Sequence, residues 1–156
     1  MKRQGILNAR LAGALSSLGH GDLLLVVDVG FPIPRDAERI DLAVAPDLPD
    51  LRTVIDLIAN EIIVERVVRA GDVPEFNAPL EAWLRERFGD AEFEERPHTD
   101  MLGAVAREAK AVVRTGAYEP WGNVGLVSGV DVTRFFAKDG VVVPDYYRAR
   151  VEAQGA

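Results

Sequence analysis

The chain lacks cysteine, and its 156 residues include only two histidines. Without cysteine there can be no disulfide framework, no cysteine-based zinc site and no thiol nucleophile, a composition that fits a reducing compartment. No uninterrupted apolar run approaches the roughly 18 residues that a membrane-spanning helix needs. Asn8 and Arg10 interrupt the apolar positions near the N-terminus, so we expect no signal peptide. These absences predict a cytoplasmic protein without membrane association.

Basic residues are in the minority. Eighteen Lys and Arg stand against 25 Asp and Glu, a formal net charge of −7. An acidic chain is poorly suited to nucleic acid, to anionic membranes or to polyphosphate substrates, whereas a neutral sugar is indifferent to this charge. No His, Asp and Glu grouping has the spacing of a metal site, and no glycine-rich phosphate loop follows a strand. We therefore expect neither a metal nor a cofactor.

The pattern of apolar residues predicts an α/β layer fold. With 48% hydrophobic residues, a chain of this length can build one substantial core. Predicted strands alternate with predicted helices, which is typical of α/β architectures. The expected helices cover residues 8–18, 51–59, 74–87 and 97–108, and the expected strands cover residues 22–28, 38–43, 61–70, 92–95, 111–114 and 123–128. The third helix should carry Phe76, Leu80, Trp83 and Leu84 on its apolar face.

The chain divides into a main domain, residues 1–130, and a C-terminal extension, residues 131–156. The extension contains the short apolar run 141–143 and a polar, helix-like end. We expect an extra edge strand and a helix or tail that packs on the same domain. An oligomer contact or a lid over the site is the alternative.

Residues 18–34 hold the strongest local signal for a site. The run Leu23–Val27 is short, apolar and bounded by turn residues, which predicts a strand buried on both faces. Asp28 ends this run, at the position where open α/β sheets bind ligands. His20 precedes it, after a helix that Gly19 is expected to end, and histidine is the side chain best suited to acid/base work near neutrality. The two residues bracket one rigid element, as expected for a small-molecule site.

Blocks of sequence spread over about residues 1–130 carry a family resemblance. They are Gly5, Leu7, Asn8, residues 18–20, Asp22, Asp28, residues 30–34, residues 39–43, His98, residues 111–116 and residues 120–124. In this order they resemble the family of D-ribose pyranase (RbsD) and L-fucose mutarotase (FucU). The blocks 30–34 and 39–43 are closer to the ribose pyranase branch.

The resemblance implies a fold, an activity and an assembly. The fold is a three-layer α/β/α arrangement with a mixed central sheet. The activity is a cofactor-free isomerisation that interconverts pyranose and furanose forms of a monosaccharide, and its anomers, by ring opening and closure. His20 corresponds to the proton donor, and Asp28 and His98 correspond to residues that contact the sugar. The assembly is a homodecamer of two stacked pentamers, with each site shared between neighbouring subunits.

One site element differs from the family pattern. Ribose pyranases have Tyr-Ala-Asn before the last strand, where this chain has Trp121, Gly122 and Asn123, all expected to line the substrate site. The Asn123 amide can donate to and accept from sugar hydroxyls, whereas the Trp121 indole can only donate. Gly122 is shared with fucose mutarotase. The alternatives left open are a mutarotase for L-fucose or another monosaccharide, and a non-catalytic sugar-binding accessory protein of ribose transport. Asp22 either orients His20 or caps the turn before the strand.

Overall fold

The computed structural model describes residues 1–155 and contains one mixed six-stranded sheet. The strands are β1 (Leu23–Val27), β2 (Arg39–Asp41), β3 (Val64–Ala70), β4 (Glu92–Arg96), β5 (Ala111–Arg114) and β6 (Val124–Ser128). Their order across the sheet is β2-β5-β1-β6-β3-β4. Only β6 is antiparallel to its neighbours. The C-terminal ends of β1 to β5 and the start of β6 therefore share one edge of the sheet, here called the carboxyl edge. The opposite edge is called the amino edge.

One helix precedes the first strand, and the others fall between strands or after the last strand. They are α1 (Ala9–Ser16), α2 (Leu51–Ala59), α3 (Val73–Phe76), α4 (Ala78–Arg87), α5 (His98–Asp100), α6 (Ala106–Glu108), α7 (Val132–Phe135) and α8 (Asp145–Gly155), with a π-helical segment, Met101–Val105, between α5 and α6. Within residues 1–155, none of the helices has both the length and the apolar character to cross a membrane.

The core lies on both faces of the central strands. Leu24, Leu25, Val26 and Val27 of β1 have no exposed surface. Because successive strand residues point to opposite faces, both faces of β1 must be covered. Helices α1 and α2 supply buried leucine, isoleucine and valine side chains to this core, each worth about 1.5–3 kcal/mol when fully buried. The predicted three-layer α/β/α fold with a mixed sheet is confirmed.

Side-chain caps explain where two of the helices begin. Asn8 Oδ1 accepts a hydrogen bond from Leu11 N at 3.0 Å, and Asp50 Oδ1 accepts one from Thr53 N at 3.0 Å. Such caps satisfy backbone N–H groups that have no partner inside the first turn. Both starts agree with the sequence prediction. The end predicted for α1 is wrong, because this helix stops at Ser16 and not at Gly19.

The helix predicted over residues 74–87 is two helices. The chain leaves helical geometry at Asn77, with φ −141° and ψ 60°, and the Asn77 side chain then caps α4 by accepting from Leu80 N at 3.2 Å. Pro79 fits the first turn of α4, where its missing N–H costs no hydrogen bond. Phe76, expected in the core, ends the short helix α3 and is 56% exposed.

The C-terminal extension forms two helices within residues 131–155. No strand is present in this described part, and the edge strand expected at residues 141–143 is wrong: Val141 and Val142 are exposed and precede Pro144. Gln154 fastens α8 to the end of the main domain. Its Nε2 donates to Val130 O at 3.1 Å, and its Oε1 accepts from Val132 N at 2.9 Å.

Candidate active site

Three polar side chains from distant parts of the sequence meet at the carboxyl edge. Asp28 follows β1, His98 follows β4, and Asn123 precedes the antiparallel strand β6. These three residues, Trp121 and the loop 117–120 line a pocket of about 680 Å³. The position agrees with the general rule that open α/β sheets bind ligands beyond the carboxyl ends of their strands. The sequence predicted all four of these side chains as site residues.

Asp28 is held by the turn that follows it. Its Oδ1 accepts from Gly30 N at 2.7 Å, and its own N–H makes a long contact of 3.4 Å with Asn123 Oδ1. Burial raises the pKa of the Asp28 carboxyl above its ordinary value, while hydrogen bonds from Gly30 and Asn123 and the nearby His98 oppose that shift. The result is a half-buried carboxyl group in the pocket wall that can accept hydrogen bonds from hydroxyls.

His98 lines the pocket, and one of its ring nitrogens lacks a partner within the described chain. It is the first residue of α5, directly after Pro97. Its Nδ1 is buried and makes no hydrogen bond among residues 1–155. Buried polar atoms in proteins are almost always satisfied. A hydroxyl group of a bound ligand is a suitable partner for this nitrogen.

Trp121 forms an aromatic wall, and its backbone is unusual. Its φ is +52°, the left-handed region that bulky residues rarely adopt. Phe76 stacks on the indole, with ring centroids 5.3 Å apart and an interplanar angle of 26°. Asn77 secures the same loop by donating to Pro120 O at 2.9 Å and to Glu119 Oε1 at 2.8 Å. Sequence reasoning missed Phe76, Asn77 and Glu119, because their role depends on contacts between distant segments.

Gly122 shapes the loop and does not line the pocket. Its N–H donates to Glu119 O at 2.9 Å. A Cβ at this position would lie 2.7 Å from Glu119 O and 2.8 Å from Glu119 Cβ, closer than a side chain tolerates. Glycine is therefore required for the tight turn that sets Trp121 and Asn123 on either side of it.

His20 lies at the amino edge, away from this pocket. The neighbouring Gly21 N donates to Ser128 O, at the far end of β6, at 2.8 Å. From Asp22 to Asp28 the extended chain covers roughly 20 Å, at about 3.3 Å per residue. Within one chain, His20 and Asp28 therefore bracket β1, as expected, but they belong to opposite edges of the sheet and do not meet in one pocket.

The surroundings of His20 are polar and open to solvent. Its side chain is 43% exposed, and its Nε2 lies 2.9 Å from Glu65 Oε2 on β3. Asp22 does not orient it. Instead, Asp22 Oδ2 accepts from Gly19 N at 2.7 Å and from Lys110 Nζ at 2.6 Å, so it caps the turn. The hydrogen bond from Lys110, with that from Gly19, lowers the pKa of Asp22.

The geometry suits an uncharged, hydroxyl-rich ligand. The pocket combines a carboxyl group, an amide, an imidazole and a flat aromatic face. Across residues 1–155, no cluster of three or more His, Asp or Glu side chains is arranged to hold a metal ion.

Close relatives of the sequence carry ribose pyranase names. D-ribose pyranase 2 of Rubrobacter xylanophilus is 65% identical over 150 residues, covering 96% of this chain and 97% of the relative. D-ribose pyranase 1 of Streptomyces griseus is 66% identical over 151 residues, covering 97% of this chain and 100% of the relative. Alignments of this length run past residue 131, so both relatives also extend beyond the main domain.

Solved structures and a family profile agree with these similarities. The structure of Bacillus subtilis RbsD complexed with D-ribose matches with a TM-score of 0.79 and 36% identity, covering 83% of this chain and 98% of that one. A fucose mutarotase from Streptococcus pneumoniae in complex with L-fucose shares the fold, with a TM-score of 0.61 at 17% identity, covering 80% of this chain and 94% of that one. Residues 1–131 match the RbsD / FucU transport protein family. The chain therefore belongs to the RbsD/FucU family.

Proposed function

We propose that the protein is a sugar isomerase of the D-ribose pyranase type. It interconverts the pyranose and furanose forms of a monosaccharide, and its anomers, and the first substrate to test is D-ribose. The observation that carries this proposal is the convergence of Asp28, His98 and Asn123 in one pocket of a ribose-pyranase-like fold. Two relatives of near full-length coverage at 65% and 66% identity are D-ribose pyranases, which supports the same activity here.

The pocket offers complementary partners to sugar hydroxyls. The Asp28 carboxylate accepts hydrogen bonds, the buried Asn123 amide both donates and accepts, and the His98 imidazole adds a third polar group to the pocket wall. The Trp121 indole supplies a flat apolar surface against which a sugar ring can lie. A mostly apolar pocket with a few fixed polar groups is the usual form of a small-molecule site.

The reaction requires one proton delivered and one removed. The His20 imidazolium gives its proton to the ring oxygen, and the bond from that oxygen to the anomeric carbon breaks. In the same step the anomeric hydroxyl loses its proton to water or to a carboxylate of the pocket, which leaves the open-chain aldehyde. A hydroxyl then attacks the aldehyde carbon: a different hydroxyl gives a new ring size, and attack on the other face gives the other anomer. The attacking hydroxyl returns a proton to His20, and the carbonyl oxygen takes back the proton that the anomeric hydroxyl lost. A positioned general acid of this kind typically accelerates a reaction about 100- to 10,000-fold.

The proposed proton donor must come from a second copy of the chain. His20 stands at the amino edge and Asp28 at the carboxyl edge, roughly 20 Å apart along the strand. A homo-oligomer in which the amino edge of one subunit faces the pocket of the next would complete each site. The family resemblance supports a decamer of two stacked pentamers, and closed symmetry of this kind is common among homo-oligomers. We place this assembly in the cytoplasm.

Saturation-transfer NMR on equilibrated D-ribose tests the activity directly. The protein should accelerate exchange between the pyranose and furanose signals, and His20→Ala should abolish that acceleration without unfolding the chain, because the side chain is 43% exposed and lies outside the core. A rate that stays at the spontaneous value with D-ribose would refute the ribose assignment. Saturable ribose binding without exchange of any sugar would instead indicate a binding accessory protein.

A different physiological sugar is the second candidate, and Trp121 is the observation that favours it. The indole presents a larger apolar face than the tyrosine of ribose pyranases and lacks a hydroxyl that can accept. Comparing exchange of D-ribose, L-fucose and other pentoses under the same conditions separates the two candidates, because the preferred sugar will show the largest acceleration per subunit.

A further inference from the structure

The C-terminal extension reaches the proposed proton donor through a shared carboxylate. Glu65 Oε2 lies 2.9 Å from His20 Nε2 and 2.9 Å from Arg150 Nη1, which belongs to α8. The Glu65 side chain is only 17% exposed, whereas the two groups that meet it are 43% and 44% exposed. We propose that Glu65 and Arg150 are positioning residues for His20. This inference rests on the proposed function, in which His20 is the general acid.

The position of α8 does not depend on the Arg150 ion pair alone. Gln154, one turn further along the helix, makes hydrogen bonds to the backbone of Val130 and Val132. The Arg150 guanidinium also lies over the Tyr147 ring, 5.9 Å from its centroid. The extension therefore presents Arg150 to Glu65 on a helix that is fixed at its far end. Residues 1–131, which define the family, contain His20 and Glu65 but not Arg150.

Glu65 determines which nitrogen of His20 faces the substrate. A carboxylate that binds one ring nitrogen fixes the ring orientation and stabilises the protonated ring, as the aspartate does in serine protease triads. With Nε2 directed to Glu65, Nδ1 is the nitrogen left to deliver a proton to a sugar held by a neighbouring copy. Loss of Glu65 should therefore free the ring and remove the partner of its protonated form.

Arg150 limits how strongly Glu65 holds the proton. Because it shares the same carboxylate oxygen, its positive charge offsets part of the attraction between Glu65 and the protonated ring. In the crevice lined by Gly21 and Asp22, the two arginines, Arg66 and Arg96, both donate to Glu94, at 2.7 Å and 3.1 Å. Asp22, on the same turn as His20, is bound to Lys110, and Asp90 lines the crevice that Glu65 and Arg150 share. Glu65 and Arg150 should therefore act on His20 together and not independently.

An NMR titration of the imidazole rings in the full-length protein tests this arrangement without relying on activity. The chain has only His20 and His98, so His20→Ala identifies the signal of interest. Removing the charge with Arg150→Met should move the His20 titration midpoint up by about 0.5–1 pH unit, and Glu65→Gln should move it down by a similar amount. Arg150→Lys should restore most of the wild-type behaviour. The high-pH limb of the ribose exchange rate should move in the same directions.

Arg148→Met is the matched control. Arg148 lies on the same helix and pairs with Asp145 at 2.8 Å, so its loss changes the charge without touching Glu65. Equal His20 midpoints in Arg150→Met and Arg148→Met would overturn the inference, whatever the catalytic rates are. A shifted midpoint that the exchange profile does not follow would also overturn it, because the contact would then not act on catalysis. Full activity in His20→Ala would instead overturn the proposed function, independently of the titration.

Discussion

The two edges of the sheet carry different functional groups. At the carboxyl edge, Asp28, His98 and Asn123 form a concave pocket with partly buried polar groups suited to holding a ligand. At the amino edge, the His20 side chain is 43% exposed and lies beside Glu65. In the proposed function, the carboxyl edge binds the sugar and the amino edge supplies the proton. A strand of five residues separates them, so no single chain can apply both groups to one sugar.

If each site takes Asp28 from one subunit and His20 from the next, two impaired variants should complement each other in a mixed oligomer. His20→Ala keeps the pocket but lacks the acid, and Asp28→Asn keeps the acid but has a defective pocket. His20→Ala alone should lose at least about 100-fold in ribose exchange, the lower range for a missing general acid, and Asp28→Asn alone should lose about 10- to 100-fold at subsaturating ribose, in proportion to its weaker binding. When equal amounts are refolded together, about one quarter of the shared sites should pair an intact Asp28 with an intact His20. Roughly a quarter of wild-type exchange should return.

The control for this experiment is each variant refolded alone, which must keep its low exchange rate. Light scattering on the same samples shows whether the chains assemble. A mixture that assembles fully but gains no activity would contradict the shared site, and an active monomer would contradict the separation of the two edges.

Asp28 should show opposite effects on ligand binding and on stability. Asp28→Asn removes a charged acceptor, so the dissociation constant for D-ribose should rise about 10- to 100-fold. Because burial raises the pKa of Asp28 above 3.8, its contribution to stability is largest below that pH and is lost as the pH rises through the folded-state pKa. The neutral variant should therefore unfold at a slightly higher temperature than wild type at pH 7, and this gain should shrink towards pH 4.

Calorimetric titration with ribose and thermal melts between pH 4 and pH 7 measure these two effects. Asp36→Asn, at an exposed position on the loop after Asp28, is the matched control and should alter neither. An Asp28→Asn variant that binds ribose with normal affinity would show that the Asp28 carboxylate does not contribute to ribose binding.

The sequence predicted the carboxyl edge better than the relation between the two edges. Signals that depend on neighbouring residues were reliable: the apolar run that became β1 and the cap at Asp50 both appear in the structure. The break at Asn77 was missed because the apolar pattern of residues 74–87 is continuous. Asn77 and Pro79 are local signals for a new helix start, whereas the contacts of Asn77 with Pro120 and Glu119 could not be read from the sequence. The role of Arg150 was invisible for the same reason, since Glu65 lies 85 residues away in the sequence.

The comparison of edges also predicts where sugar preference is set. Trp121 belongs to the binding edge and does not contact the proton donor of its own chain, so Trp121→Tyr should change affinity and leave the chemical step nearly intact. Loss of part of the stacking surface should raise KM about 2- to 10-fold, the range expected from aromatic contacts worth about 0.5–1.5 kcal/mol. The increase should differ between D-ribose and L-fucose, because the new hydroxyl can accept a hydrogen bond and the indole cannot.

Measured exchange rates for both sugars, in Trp121→Tyr and in Phe76→Ala, separate the indole itself from its support. Phe76, the last residue of α3, stacks on the Trp121 indole. Its loss should loosen the indole ring and weaken the binding of both sugars alike. An equal change in KM for both sugars in Trp121→Tyr would mean that the indole does not discriminate between them. Selectivity would then lie with Asp28, His98 and Asn123. A kcat that falls as steeply as in His20→Ala would mean that Trp121 acts on proton transfer, and the separation of binding and acid groups between the two edges would then fail.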